Sequence, residues 1–467
     1  MKNTICFTGF SGGELELLQA KAAGVADIWD CQFIAAGEKV LLAMSSASFE
    51  VVVANVHIND MSGAELLHHV GKLQPNTLRI AVGDLVEQNL VIDYIGGPHR
   101  FVARPFQPDE LVSVIRRSLA LDAWLASDLL RALLPKLTHL PGLPSTYFEV
   151  LKKIESPYST VQEVGEVIAN DPAVTVRLLQ MVNSVAFSLA QKITDPVDAV
   201  ALLGLETVKS LVLCLQVFNE NELLARAGVS MEHLWDHSLT VAKTARQIML
   251  QLTSAPRLAN DAFTAGLLHD IGRIVMAINL PKDYAEIIKA SRQLQSPLHI
   301  EEIRRFGVNH TQVGAYLLGV WGMPVGLVEA AALHHAPSHT ATSEISILTA
   351  VHVGNVLAHE QSPGHGIPKP AFDVDYLVKL GLPTRVEEWL TLLKAERTAE
   401  VEAGEEALAA PVLKSKQVSE PTAAVVNQVA KAEVAAAAPS ARPMNFFLVL
   451  TGLMVLVGLA IWLMVHH

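Results

Sequence analysis

The pattern of hydrophobic and polar positions divides the chain into blocks of different texture. From residue 1 to about residue 120, short apolar runs alternate with segments in which apolar residues recur every three or four positions. The runs that predict strands are ICFTGF, KVLLAM, FEVVVANV, LRIAVG and RFVARP, and the segments that predict helices are 13–23, 63–73 and 108–119. Because strands and helices alternate at this pitch, we expect an α/β domain over residues 1–122, with a doubly wound parallel sheet.

After about residue 130 the strand texture disappears. Long segments with apolar residues at three- and four-residue spacing are separated by Pro and Gly, which predicts an all-α domain over residues 130–395. Two helix starts are clear, because Asp171-Pro172 and Asp195-Pro196 each place Asp at the N-cap and Pro at the first helical position.

The C-terminal part has two further textures. Residues 396–443 are rich in Ala, Glu, Val, Lys and Pro and contain no aromatic residue, which predicts a flexible linker. Residues 446–465 are an uncharged apolar run that predicts a single transmembrane helix spanning about 30 Å; a buried core helix is the alternative. Lys431 and Arg442 precede this run, so we expect a protein of the cell inner membrane with most of its chain in the cytoplasm.

Charge and cysteine content exclude two classes of function. The 467 residues include 47 acidic and 35 basic side chains, a net charge of −12, so we expect no nucleic-acid partner. The three cysteines are widely separated, which excludes a disulfide framework and a cysteine-based zinc knuckle.

The N-terminal block resembles the receiver domain of response regulators, through FEVVVANVHINDMSGAELL and FVARPFQPDELVSVI. Asn55 stands where the resemblance places the phosphoacceptor, and an amide is not a nucleophile toward a phosphoryl donor. The acidic pair that would hold Mg²⁺ is replaced by Thr8-Gly9-Phe10, and the lysine position is Arg104. The resemblance therefore implies a pseudo-receiver that serves interaction or dimerisation.

Histidines are enriched in the helical block: eleven of the 18 lie between His233 and His365. The candidate metal ligands are His237, His269, Asp270, His310, and His334 or His335. Imidazole and carboxylate together suit Fe, Mn, Zn or Ni. These residues come from different predicted helices, so their spacing does not establish that they converge, and a hydrogen-bonded core role is the alternative for each histidine alone.

A longer series of motifs in this block resembles the HDOD family, the HD-related output domain of bacterial signalling proteins, over residues 134–360. The motifs are LPGLPSTYFEVLKKI, VIANDPAVTVRLLQMVNSVAF, AVALLGLETVKSLVL, AFTAGLLHDIGRIVMA, FGVNHTQVGAYLLGVWGMPVGLVEAAALHH and VHVGNVLAHE. The resemblance implies an all-α fold related to HD-type metal-dependent phosphohydrolases, in a family regarded as non-catalytic regulators that act through protein contacts.

The same resemblance implies a degenerate metal site. It places His237, His269 and Asp270 at ligand positions, but the later aspartate is Asn355, and the lysine that often follows the His-Asp pair is Arg273. A neutral amide binds metals poorly, so we expect no cofactor, with a divalent Fe, Mn, Zn or Ni ion as the open alternative.

We therefore expect a membrane-tethered signalling adaptor whose partners are other signalling proteins, and a homo-oligomer is left open. One alternative is a metal-dependent phosphohydrolase or cyclic-dinucleotide phosphodiesterase. The other is a nucleotide sensor without turnover, in which Arg273 contacts a phosphate instead of pairing with Asp270.

Overall fold

The structure, a computed structural model, describes residues 2–389 apart from positions 85–86, 96–98, 126, 144, 157, 185–186, 188–191, 216, 219–221, 362–367, 383–384 and 386–387. The predicted linker (396–443) and transmembrane helix (446–465) lie outside these residues. Within the part of the chain that the structure describes, no helix has both the length and the apolar character that a membrane crossing requires.

The N-terminal sheet domain, residues 3–125, has five parallel strands in the order β2-β1-β3-β4-β5, which is a doubly wound arrangement. Its strands are β1 (Asn3–Thr8), β2 (Trp29–Ile34), β3 (Val51–Asn55), β4 (Leu78–Gly83) and β5 (Arg100–Ala103). Its helices are α1 (Gly12–Ala23), α2 (Gly37–Met44), α3 (Gly63–Leu73), α4 (Gln88–Ile95) and α5 (Pro108–Leu125). Successive residues of β3 enter different apolar clusters, Val51 and Val53 on one face of the sheet and Val52 and Ala54 on the other. The parallel sheet predicted from strand–helix alternation is therefore present.

One predicted strand is wrong. KVLLAM lies in helix α2, and the second strand is formed by WDCQFI. In α2 the buried residues Val40 and Met44 are four positions apart, whereas Leu42 between them is 73% exposed, which is a helical pattern. Strand β2 pairs only with β1 and lies at the edge of the sheet, where polar residues such as Asp30 and Gln32 are tolerated.

The helical domain comprises α6–α21 and contains no strand among its described residues. Its helices are α6 (Asp128–Leu133), α7 (Ser145–Glu155), α8 (Val161–Ala169), α9 (Pro172–Val182), α10 (Pro196–Leu203), α11 (Leu205–Cys214), α12 (Glu222–Arg226), α13 (Met231–Thr253), α14 (Pro256–Leu268), α15 (Ile271–Asn279), α16 (Pro281–Leu294), α17 (Leu298–Phe306), α18 (His310–Val320), α19 (Val325–Leu333), α20 (Ile347–Gln361) and α21 (Val374–Lys379). Both predicted helix starts are present: Asp171 accepts hydrogen bonds from the backbone N–H groups of Ala173 and Val174, and Asp195 accepts one from Val197.

Two glycines allow the helices of this domain to approach one another closely. A Cβ on Gly272 of α15 would lie 1.9 Å from the carbonyl oxygen of His310 in α18. A Cβ on Gly266 of α14 would lie 2.6 Å from the Cα of Ala242 in α13. Because backbone cannot yield as a flexible side chain can, both positions require glycine, and together they bring α13, α14, α15 and α18 to one place.

We expect Gly272→Ala to separate α15 from α18 and to lower the free energy of unfolding by about 1–3 kcal/mol or more, the usual range for an overpacked core. Gly13→Ala is the matched control, since a Cβ there meets no atom within 4 Å. In α1 this change is expected to be neutral or to stabilise by up to about 1 kcal/mol. Urea unfolding of the two variants measures the difference, and equal stability would contradict the close approach of α15 and α18.

Candidate metal centre

Asp270 lies at the centre of the site, between the end of α14 and the start of α15. Its side chain is buried, and its two oxygens face different neighbours. Oδ1 lies 3.2 Å from Nε2 of His310 and 3.6 Å from Nε2 of His334. Oδ2 accepts a 2.8 Å hydrogen bond from Nη1 of Arg273 and lies 3.6 Å from Nε2 of His269. Burial opposes ionisation of this carboxyl, but His269 and Arg273 outweigh it and hold the pKa of Asp270 well below its usual range.

The first candidate set, here called the α18–α19 set, consists of Asp270, His310, His334 and His335, whose potential ligand atoms all lie within 4.8 Å of one another. His310 is the first residue of α18, and His334 directly follows the last residue of α19. The two helices therefore present their imidazoles to Asp270 from the same end of the pair.

Hydrogen bonds fix the rings of this set. Nδ1 of His310 lies 2.7 Å from a carboxylate oxygen of Glu302, which also accepts the His310 backbone N–H, and the Tyr284 hydroxyl donates to the other oxygen of Glu302. Nδ1 of His334 lies 3.0 Å from the carbonyl oxygen of Ala331. Such contacts leave Nε2 of each ring directed at the site, which is how proteins orient imidazole ligands of metals.

The second candidate set, here called the α13–α14 set, consists of His237, His269 and the shared Asp270. Nδ1 of His269 lies 2.7 Å from the carbonyl oxygen of Gly266, which fixes this ring as well. Burial lowers the pKa of His269 to about 4, so the ring is neutral at pH 7. The guanidinium of Arg273 is bound to the oxygen of Asp270 that faces this set, which makes the set less favourable for a cation.

Several buried polar atoms around Asp270 have no hydrogen-bond partner among the described residues. They are Nε2 of His237, His269, His310 and His334, Nδ1 of His335, and Oδ1 of Asn355. Nε2 of His310 and Nε2 of His334 have Asp270 Oδ1 beside them at 3.2 and 3.6 Å, so the other four atoms are the ones that require an explanation, because buried polar atoms in proteins nearly always have a partner. Imidazole nitrogens beside a carboxylate are a donor set for Fe, Mn, Zn or Ni, and the residues present therefore fit a divalent cation.

A cavity of about 390 Å³ opens beside the cluster. His237, Asp270, His310, His335 and Asn355 contribute to its wall. Its lining also includes Arg273, Arg292, His299 and His359. The volume falls in the range of small-molecule sites, and the wall carries both Arg292 and Asp236 as charged side chains beside the Arg273–Asp270 pair.

The structure brings together the residues that the sequence singled out in the helical domain. Four histidines surround Asp270, namely His237, His269, His310 and His334. Arg273 is hydrogen-bonded to Asp270, and Asn355 lines the adjoining cavity. His335, left open beside His334, joins the same set. Adjacent histidines diverge on a continuous helix, but α19 ends at Leu333, so both rings are able to face Asp270.

Sequence reasoning missed two residues of this site. His359 lies four positions after Asn355 on α20, and its ring centroid is 4.5 Å from that of His237, so helical spacing from Asn355 was an available signal. Glu302 lies on α17, and no motif pointed to it.

Asn55 lies at the end of β3 in the sheet domain and belongs to neither candidate set. Its amide nitrogen donates to the carbonyl oxygen of Gly9, and its Oδ1 accepts the backbone N–H of His57. Arg104 is held by both carboxylate oxygens of Glu14, and its Nη1 lies 3.4 Å from Oδ1 of Asn55. Asn55 is thus part of a local hydrogen-bonding network.

The described part of the chain thus consists of a parallel-sheet domain followed by an all-α domain with a buried His/Asp cluster. Residues 140–337 match the HDOD domain family, so this chain contains an HDOD domain. A protein of Treponema pallidum is 23% identical over 221 residues, which cover 47% of this chain and 42% of the relative; the match thus spans less than half of the relative's length.

Two solved structures align with parts of the chain. An HDOD domain protein from Geobacter sulfurreducens is 22% identical and aligns over 62% of this chain and 99% of its own, with a TM-score of 0.49. The chemotaxis response regulator CheY4 of Vibrio cholerae is 16% identical and aligns over 25% of this chain and 98% of its own, with a TM-score of 0.23.

The environment of His310 predicts that cation binding releases a proton. Burial alone would lower its pKa, but Glu302 and Asp270 raise the pKa of His310 to about 9, so the metal-free ring is protonated at pH 7. A metal requires the Nε2 lone pair, so about one proton leaves per ion bound, and affinity rises with pH until about pH 9. Calorimetric titration of the full chain with Mn²⁺, in two buffers of different ionisation enthalpy, measures the proton count.

The matched control for this prediction is Glu302→Gln, which removes the main charge that keeps His310 protonated. We expect this variant to release a smaller fraction of a proton at the same pH. Binding of Mn²⁺ to the wild-type chain without proton release would show that His310 is not a ligand.

Proposed function

We propose that this protein transmits signals through contacts with other proteins, and that its HDOD domain holds one divalent cation in the α18–α19 set. The observation that supports this most directly is the group of buried imidazole nitrogens that lack hydrogen-bond partners beside Asp270. The residues that would hold the ion are Asp270, His310, His334 and His335. An ion bound there would supply positive charge and Lewis acidity at the wall of the cavity.

The surroundings of the two oxygens of Asp270 favour the binding of one ion and disfavour a second. On the side of Oδ1 the neighbours are imidazoles, whose lone pairs can face a cation. On the side of Oδ2 the Arg273 guanidinium already neutralises the carboxylate at 2.8 Å and would repel a second ion.

The charge of the site supports binding without turnover. In the two sets formed by described residues, Asp270 is the only carboxylate, and Asn355 offers a neutral amide where HD hydrolases use an aspartate. Hydrolysis of a phosphate ester requires ions that activate water and also balance the phosphate charge. In the sheet domain the position that resembles a phosphoacceptor also carries an amide, Asn55, which is hydrogen-bonded to Gly9 and to His57. We therefore propose that both domains act as recognition modules, the first as a pseudo-receiver.

A second candidate function is a sensor that binds a nucleotide without hydrolysing it. The cavity of about 390 Å³ supports this candidate, since Arg273 and Arg292 line it together with the histidines. A guanidinium offers paired donors that match a phosphate.

We also propose that residues 446–465 form a transmembrane anchor, which holds the two domains on the cytoplasmic side of the inner membrane. We expect the full chain to remain in the membrane fraction of bacterial cells after alkaline carbonate extraction, because about 20 apolar residues span the hydrocarbon core. A chain truncated after residue 443 should appear in the soluble fraction. Release of the full chain by carbonate would contradict the anchor.

Elemental analysis of the purified full chain tests the cation site. We expect about one Fe, Mn, Zn or Ni ion per chain, and an affinity at least about tenfold lower in His334→Ala, since even second-sphere changes cost this much. His57→Ala, at an exposed histidine of the sheet domain, is the matched control and should keep the ion.

The metal-loaded chain should hydrolyse no cyclic dinucleotide or nucleotide. Hydrolysis by the wild-type chain that is lost in Asp270→Asn would show that the protein is an enzyme and not an adaptor. Nucleotide binding without product would favour the sensor, and a metal-free wild-type chain would refute the cation site.

A further inference from the structure

Helices α18 and α19 connect the candidate cation site to the sheet domain. His310 opens α18 and His334 directly follows α19, and both lie within 3.6 Å of Asp270. The two helices pack against each other and are joined by residues 321–324. Because the site occupies the end of the pair formed by His310 and His334, the connection at 321–324 lies at the opposite end.

That opposite end is bonded to the sheet domain. The backbone N–H of His99, just before β5, donates to the carbonyl oxygen of Gly319 at 3.0 Å. The side-chain amide of Gln88 in α4 donates to the carbonyl oxygen of Gly322, also at 3.0 Å. Gly322 has a φ of +63°, and a Cβ there would lie 2.6 Å from Nε2 of His99, so this contact requires glycine for two reasons.

An ion pair holds α19 at its middle. Glu329 is 2% exposed, and both Nε and Nη2 of Arg117, on α5 of the sheet domain, donate to its Oε2. The hydroxyl of Thr340 donates to its other oxygen at 2.7 Å. A buried carboxylate is tolerated only where charges and hydrogen bonds compensate it, so Glu329 restricts where α19 can lie relative to α5.

We propose that the sheet domain positions His310 and His334 through this helix pair, so that the contact between the domains and the affinity for a cation are coupled. The inference rests on the proposed function, because it requires that the α18–α19 set binds an ion. Arg117, Gln88 and Glu329 are positioning residues in this arrangement and touch no ligand. Coupling of this kind is reciprocal. A change that loosens the contact between the domains lowers the affinity for the ion, and binding of the ion stabilises the contact.

The same contacts would exist if they served only to hold the two domains together. In that case their loss would lower stability and leave the affinity for an ion unchanged. A measurement of cation affinity on folded protein therefore distinguishes the two interpretations.

The forward test is calorimetric titration of the full chain with Mn²⁺ in Arg117→Met and Gln88→Ala. We expect the dissociation constant to rise roughly 3- to 30-fold in each, the range found for residues that couple distant sites. Arg117→Lys keeps a positive charge opposite Glu329, so its affinity for Mn²⁺ should fall less than that of Arg117→Met. Arg116→Met is the matched control, because Arg116 is the exposed neighbour on the same helix, and its affinity should equal that of the wild type. Circular dichroism selects the variants that fold.

The reverse test is hydrogen exchange on the wild-type chain with and without Mn²⁺. The amide of His99, which donates across the domain contact, should exchange more slowly when the ion is bound, and the amide of Val53 within the sheet should not change.

The outcomes separate the two proposals. A wild-type chain that binds no Mn²⁺ would overturn the proposed function. If Arg117→Met and Gln88→Ala bind Mn²⁺ as tightly as the wild type, and if the exchange rate of the His99 amide does not change with the ion, the coupling alone is overturned. A loss in Arg116→Met as large as in Arg117→Met would also overturn it, because the effect would then follow surface charge.

Discussion

The candidate cation site is arranged around one buried carboxylate, that of Asp270. It is ionised although its surroundings oppose charge, because Arg273 donates to one of its oxygens and imidazoles surround the other. The surrounding structure serves this arrangement: Gly272 lets α15 approach α18, and Glu302 and the carbonyl oxygens of Gly266 and Ala331 turn three imidazoles toward the same carboxylate. Nε2 of His237 and Nε2 of His269 have no hydrogen-bond partner among the described residues.

Features that depend on neighbouring residues in the chain could be predicted from the sequence. Asp171 and Asp195 cap helices because an Asp-Pro pair acts within one turn, and the parallel sheet follows from the alternation of apolar runs and helical segments. KVLLAM was assigned to a strand because a short apolar run fits either structure. The burial of Val40 and Met44 beside an exposed Leu42 distinguishes the two, and burial depends on contacts that the sequence does not display.

The candidate site could be predicted in composition but not in geometry. The motifs supplied His237, His269, Asp270, His310 and His334, yet the division of these residues between the two oxygens of Asp270 depends on tertiary packing. Glu302 is eight positions before His310 and meets it only because α17 and α18 pack together. The substitution of an aspartate by Asn355 suggested a site too poor in charge to hold an ion. Under the proposed function, hydrogen bonds that fix the imidazole rings offset this deficit, since they reduce the cost of ordering the ligands.

The sheet domain contacts the helical domain at a place separate from Asn55. Asn55 and Arg104 lie at the carboxyl end of the sheet and bond to Gly9 and Glu14. The residues that meet the helical domain lie elsewhere, on α4, just before β5 and on α5. A divalent ion in the α18–α19 set would be balanced by Asp270 and Glu302, and Arg273 would leave an excess of positive charge at the cavity. Such a site attracts anions but has no second carboxylate among its described ligands to share in water activation. This combination supports the proposal that these residues recognise a negatively charged ligand and do not hydrolyse it.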